Sequence, residues 1–254
     1  MTTDMFYSQF NEDRILHRIF SGKSRGTCVE VGANDGIHGS NTLFFEKQGW
    51  QCVLIEPNPA LCAEIRAKRN AILFECAASS SPGSATLHVV EGTFGAHGMS
   101  TMSARAEDRE RIAEQGFSTK PLEVRTFTMD QLLERAQLTG GIDFVTIDVE
   151  GHEMDVLRGF SLDRWQPTVL IIEDNSNHKD STVARYLAQF GYEPFRRTGV
   201  NDWFAHRSNQ RLVNSTSKMQ RAIKIWELRV RDRLRRIPWL RTTYRRLKGL
   251  PNER

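Results

Sequence analysis

Short apolar runs alternate with longer mixed stretches along most of this chain. Cys28 to Val31, Cys52 to Ile55, Ala71 to Cys76, Ile142 to Ile147 and Thr168 to Ile172 are strand-sized and mostly apolar, as strands buried on both faces should be. Between them the spacing turns helical. Leu43, Phe44 and Phe45 share one side, Thr128 caps a segment starting at Met129, and helices are expected over Glu12 to Phe20, His152 to Phe160 and Ser181 to Phe190. Ser84 to Val90 alternates like a strand and Leu122 to Phe127 forms another. A hairpin, Tyr192 to Arg197 and Asp202 to Arg207 around Thr198-Gly199-Val200-Asn201, is expected to complete the sheet. The alternation predicts an α/β fold around a mostly parallel sheet.

Residues 27–59 narrow the ligand. Gly32 and Gly36 supply a tight turn after the first strand, and the second strand delivers Glu56 at its tip, where a carboxylate can accept both hydroxyl hydrogens of a ribose. A dinucleotide fingerprint would read G-x-G-x-x-G and open onto a pyrophosphate. Here the turn reads Glu30-Val31-Gly32-Ala33-Asn34-Asp35-Gly36, with acids on both sides. Carboxylates repel a pyrophosphate but suit S-adenosylmethionine (SAM), which carries an ammonium and a sulfonium. A generic crossover with a permissive turn is the plainer alternative.

Four blocks resemble the FkbM family of SAM-dependent methyltransferases, over roughly residues 5–206: Tyr7-Ser8-Gln9-Phe10-Asn11-Glu12-Asp13; Val29–Gly36 with Ser40-Asn41-Thr42; Ile55-Glu56-Pro57-Asn58-Pro59; and Ile147-Asp148-Val149-Glu150-Gly151-His152-Glu153. The resemblance implies the Rossmann-like, seven-stranded class I methyltransferase sheet and methyl transfer to an oxygen, often on a sugar or polyketide hydroxyl. It places Gln9, Asp13, Glu30, Gly32, Asn34, Asp35, Gly36, Ser40, Asn41, Thr42, Glu56, Pro57, Ala77 and Asp148 around the cofactor. The segment before the first helix, within an N-terminal cap of residues 1–24, then lies over the cofactor mouth; Ser8 or Asn11 capping that helix is an equal alternative.

Reading only the carboxyl ends of the strands, where such sheets bind ligands, gives a surplus of acids: Glu30, Glu56, Asp148, Glu150, Glu173 and Asp174. A cation must offset them, and SAM accounts for only part. By position, Asp148, Asp174 and Asn175 resemble the metal-ligand arrangement of catechol-type O-methyltransferases, which implies a site for magnesium or manganese that would lower the pKa of an acceptor hydroxyl; capping by Asp174 and Asn175 is the alternative. His152 is the first candidate for the base and His178 its rival, with Glu150 and Glu153 orienting the histidine or holding sugar hydroxyls. Either histidine could equally be structural. Residues 91–105, rich in Gly, Ser and Thr, are a candidate lid or an ordinary connection.

Composition bounds the rest. With 254 residues, 39% of them hydrophobic, the chain suits one α/β domain with an appendage. Met1 to Arg14 has three acids and no apolar run, so a cytoplasmic location is expected, and no run is long enough for a spanning helix. Cys28, Cys52, Cys62 and Cys76 form no C-x-x-C pair and suit buried thiols.

Charge divides the chain. From Arg207 to Arg254 fifteen Lys or Arg face three acids; that net +12, against +4 overall, leaves residues 1–206 at −8. Within this basic tail Ile223, Trp226, Val230, Leu234, Ile237, Leu240, Tyr244 and Leu247 recur every three or four residues, interrupted near Pro238. An amphipathic helix beside an Arg-rich face suits peripheral attachment to an anionic membrane. Packing on the core or on a second subunit, as in a homo-oligomer, and nucleic acid are alternatives. The expectation is a methyltransferase domain over residues 1–206 with a basic helical extension over 207–254, acting on a saccharide or lipid-linked glycan hydroxyl. An RNA methyltransferase is disfavoured by the acidic face, and a non-catalytic adaptor by the intact set of polar strand ends.

Overall fold

The computed structural model of the protein describes residues 5–91, 100–102, 117–138, 140–176 and 179–235. Most of the 91–105 segment, His178 and the tail beyond residue 235 lie outside the described residues. In chain order the elements are α1 (Glu12–Ile19), β1 (Thr27–Val31), α2 (Leu43–Lys47), β2 (Gln51–Glu56), α3 (Pro59–Lys68), β3 (Ile72–Glu75), β4 (Ala77–Ala78), β5 (Gly83–Glu91), β6 (Ser118–Phe127) and α4 (Met129–Arg135). Then follow β7 (Phe144–Ile147), α5 (Glu153–Arg158), α6 (Leu162–Trp165), β8 (Val169–Glu173), α7 (Thr182–Gln189), β9 (Tyr192–Thr198), β10 (Asn201–His206) and α8 (Ser215–Arg235).

Seven strands form one sheet in the order β3-β2-β1-β7-β8-β10-β9, parallel up to β8 and closed by the antiparallel β10–β9 pair. This is the Rossmann-like methyltransferase sheet. The two-residue side-chain period sends alternate positions to opposite layers. Val29, Val31, Val145, Ile147, Leu170 and Ile172 pack with α4, α5 and α7 on one face, while Cys28, Phe144, Val169, Ile171 and Trp203 pack with α1 and α2 on the other. Every residue of β1, β7 and β8 is buried, and all four cysteines are buried and free. Both layers being apolar explains why these runs lack the alternation of a half-exposed strand.

The sequence marks two further strands without assigning them to a sheet. β5 and β6 leave the main sheet and, with β4, make a separate three-stranded one in the order β4-β6-β5. Ala77, Ala78, Leu87, Val90, Val124 and Thr126 are its buried positions, while most of β6 is exposed, so this small sheet has one packed side and one open side. Pro121 is tolerated in central β6 because β4 pairs only with Thr126 and Phe127, leaving the Pro121 stretch as an edge on that side.

After β10 the chain stays on the domain. Leu212 and Val213 join the second core layer, and α8 packs on β9. Among the described residues no helix is long and apolar enough to cross a membrane.

Phe144 is fully buried, with its ring centroid 4.9 Å from that of Phe45 and 6.2 Å from that of Trp50. Replacing it with alanine leaves a hole where three aromatic rings meet. Denaturant titration of Phe144→Ala is expected to give a loss of roughly 3–5 kcal/mol.

Candidate active site

A cavity of about 570 Å³ opens beyond the carboxyl ends of β1, β2, β7 and β8. That volume is ordinary for a small-molecule or cofactor site. Its floor is the turn after β1. Gly32 has φ +82°, and a Cβ there would stand 1.8 Å from the carbonyl oxygen of Asp148. The glycine therefore allows the β1 turn to cross directly over the end of β7. Gly36, φ +76°, serves packing instead, its absent Cβ making room for Ile65 and Arg69.

Two buried glutamates shape the cofactor side. Glu30 accepts from Ser40 Oγ at 2.8 Å, the Asn41 amide at 2.7 Å and Thr42 Oγ1 at 2.5 Å, so its carboxylate organises the loop before α2. Arg69 closes that network from the other side, donating to Gly36 O, Ser40 Oγ and Thr42 Oγ1. Glu56, at the tip of β2, accepts from the amides of Asn34 and Asn58, both at 2.9 Å. Each of its oxygens keeps a lone pair for a ligand hydroxyl. Burial pushes its carboxyl up to about 7 against the pull of those two amides.

The other side of the cavity is a carboxylate cluster. Ile147 and Ile172 are register partners, so the next residues, Asp148 and Glu173, leave β7 and β8 side by side. Oxygens of Asp148, Glu150 and Glu173 all lie within 4.8 Å of one another. Asp148 is exposed on the cavity wall; the surrounding protein screens it from bulk water, and that desolvation, with the charges of Glu150 and Glu153, raises the carboxyl to about 7. Glu173 is driven higher still by burial and by Asp148, to which it hydrogen-bonds. Like charges this close cannot all ionise at neutral pH without a cation, so the cluster holds protons or recruits one. Glu150 is a non-glycine residue at φ 51°, its carbonyl accepting from Thr101 Oγ1 at 2.6 Å. That conformation turns the Asp148–Gly151 segment back over the cavity.

Of the residues expected from the sequence, Gln9, Glu30, Gly32, Asn34, Ser40, Asn41, Glu56, Pro57, Ala77, Asp148, Glu150 and Asn175 line the cavity. Six others do not. Asp13 is buried under the N-terminal segment, accepting from the Tyr7 amide at 2.5 Å and from Ser8 Oγ at 2.6 Å. Asp35 turns to the Ile37 and His38 amides and the His38 ring. Thr42 faces Glu30, and Gly36 faces α3. His152, expected as the base, is the N-cap residue of α5; its Nε2 lies 3.0 Å from Ser79 Oγ and its Nδ1 3.5 Å from Asp155. Burial lowers its pKa, so it stays neutral as a structural link. Asp174, expected as a metal ligand, is held by Ser176 and by Arg197 at 3.1 Å.

Glu173 takes the position expected of Asp174. The signal was present in the sequence: the runs ending at Ile147 and Ile172 are each followed at once by an acid. Leu61, Leu87, Phe10 and Val200 also line the cavity and carry no polar signature that would have singled them out.

The cavity fits SAM on two observations. No Lys or Arg is found among the described lining residues, against five carboxylates. Asn41 Oδ1 is a buried acceptor without a partner among the described residues, placed to take a ligand N–H. The family model described as Methyltransferase FkbM domain matches residues 30–194. No curated protein matches the chain.

The expected consequence of Gly32→Ala is loss of SAM binding by calorimetry, because the methyl must displace the Asp148 carbonyl from beneath the cofactor turn. Binding within a few-fold of wild type would separate the turn from the site.

Proposed function

We propose, from the premise that this chain belongs to the FkbM family of methyltransferases, that it methylates oxygen, on a hydroxyl of a saccharide or lipid-linked glycan. The observation that carries this reading is the Asp148–Glu150–Glu173 cluster beside the cofactor turn. SAM, when bound, supplies a methyl on a positively charged sulfur that is displaced in line by the acceptor oxygen. The protein must hold that oxygen in line and take its proton. Asp148, with its carboxyl raised to about 7 by withdrawal of water and by Glu150 and Glu153, is the group we assign as base; the hydrogen bond from Glu173 favours its charged, proton-accepting form. Gln9, Asn175 and Glu150 offer donors and acceptors to further hydroxyls of a sugar ring, and Phe10 and Val200 add apolar wall. An anionic acceptor such as RNA would meet the lining carboxylates and is disfavoured for that reason. Incubation with labelled SAM and separated glycan, lipid, RNA and small-molecule extracts tests this: label is expected in a glycan-bearing fraction, and label in RNA alone would overturn the reading.

Because a base works only when deprotonated, kcat/KM is expected to rise with pH through about 7 and then level off. Asp148→Asn should lower turnover by roughly 100-fold or more while SAM binding by calorimetry changes little. His152→Ala should keep most of the turnover, since that ring does not line the cavity.

A second reading is favoured by the spacing of the same oxygens. Magnesium or manganese held by Asp148, Glu150 and Glu173, rather than by Asp174, would lower the acceptor hydroxyl's pKa and position it. Under the first reading activity survives prolonged chelation. Loss on chelation, with recovery on adding magnesium or manganese, would favour the second.

A further inference from the structure

Among the described residues four large apolar side chains are exposed, and three of them stand on α8: Met219 at 59%, Ile223 at 50% and Trp226 at 65%. Their spacing of four and three residues puts them on one stripe of the helix. The opposite side of α8 is spoken for. Arg221 pairs with Asp202 at 3.2 Å, and Ile225 and Leu228 are half-buried. The helix is thus anchored to the domain by one face and presents apolar groups on the other.

At 100° per residue, Lys218, Arg229 and Arg233 fall along one flank of the exposed stripe, and all three are exposed. The sequence continues basic beyond residue 235, through Arg236, Arg241, Arg245, Arg246 and Lys248.

We propose that this face of α8 docks the protein on an anionic lipid surface. An indole with apolar neighbours and a basic flank is the combination that lies in the interface of a charged bilayer. Charge complementarity selects that partner, since the whole segment from Arg207 onward carries +12. A second copy of the chain is the weaker occupant. Three side chains, the largest covering up to about 250 Å², fall short of the roughly 800 Å² per partner that a stable protein interface uses. The active cavity lies over β1, β2, β7 and β8, whereas α8 packs on β9 at the sheet's far edge, so docking leaves the acidic mouth clear of the lipid phosphates.

The test is co-sedimentation of the full chain with vesicles of phosphatidylcholine plus phosphatidylglycerol, against phosphatidylcholine alone. Binding is expected only to the anionic vesicles and should weaken with salt. Replacing Met219, Ile223 and Trp226 together by serine is expected to weaken it by roughly tenfold or more, with the melting temperature held, because none of the three is packed. Arg229→Gln with Arg233→Gln should weaken it as well. Failure to sediment at low salt would overturn the proposal, as would equal binding by the triple serine variant. Self-association or RNA binding that the triple variant abolishes, in a chain that ignores vesicles, would assign the face to that partner instead.

Discussion

One close approach holds the site together: the β1 turn lies against the backbone at the end of β7, with no side chain between Gly32 and the Asp148 carbonyl. The Asp148 amide donates to Val31 O at 3.0 Å, and the Gly32 amide to Ile55 O at 2.9 Å, so three strand ends are tied at this point. The glycine turn and Asp148, to which we assign the cofactor and the acceptor, are thereby neighbours by construction. The parallel registers Val31↔Ile55, Val31↔Ile147 and Ile147↔Ile172 extend the same alignment from Glu56 across to Glu173. The apolar core sets those registers, because a one-residue slip would move every side chain to the opposite layer.

The second constraint is electrostatic. Five carboxylates around one cavity with no basic lining residue would be costly in an empty pocket, and the protein manages them differently. Glu30 is neutralised locally, by three donors of its own loop and by the nearby Arg69. Glu56 has two backbone amides and Asp148 has Glu173, which leaves both carboxyls raised to about 7. The first arrangement is structural. The other two keep protons or cations in play.

Much of this was legible in the sequence. Strands buried on both faces announce themselves as unbroken apolar runs, and β1, β2, β7 and β8 fall where such runs occur. Glycines followed by an acid-tipped strand pointed to residues that line the cavity. What the sequence obscured was direction. Asp13, Asp35 and Thr42 sit beside cavity residues in the sequence, yet Asp13 and Asp35 spend their oxygens on neighbouring amides, a hydroxyl and an imidazole, and Thr42 spends its hydroxyl on Glu30. Short polar side chains do this readily, and a motif cannot reveal which oxygen has been claimed. His152 is a similar case: next to the acidic strand end, it is turned away by its contact with Ser79, 73 residues earlier. For β5 and β6 the alternation marked the strands without saying which sheet receives them.

The tail and the cavity also meet through charge. Asp202 on β10 pairs with both Arg221 of α8 and Arg197 of β9, and Arg197 reaches on to Asp174 at 3.1 Å. Arg197 is almost wholly buried, so removing either carboxylate leaves a cation without its full complement in a poorly solvated place. Asp174 in turn fixes the start of the loop that presents Asn175 to the cavity. The residue that sequence pattern suggested for a metal is therefore a strut between the acceptor wall and the helix carrying the exposed apolar stripe. A shift of α8 would reach the acceptor wall through these ion pairs, whereas the Glu30 and Glu56 networks on the cofactor side share no residue with them.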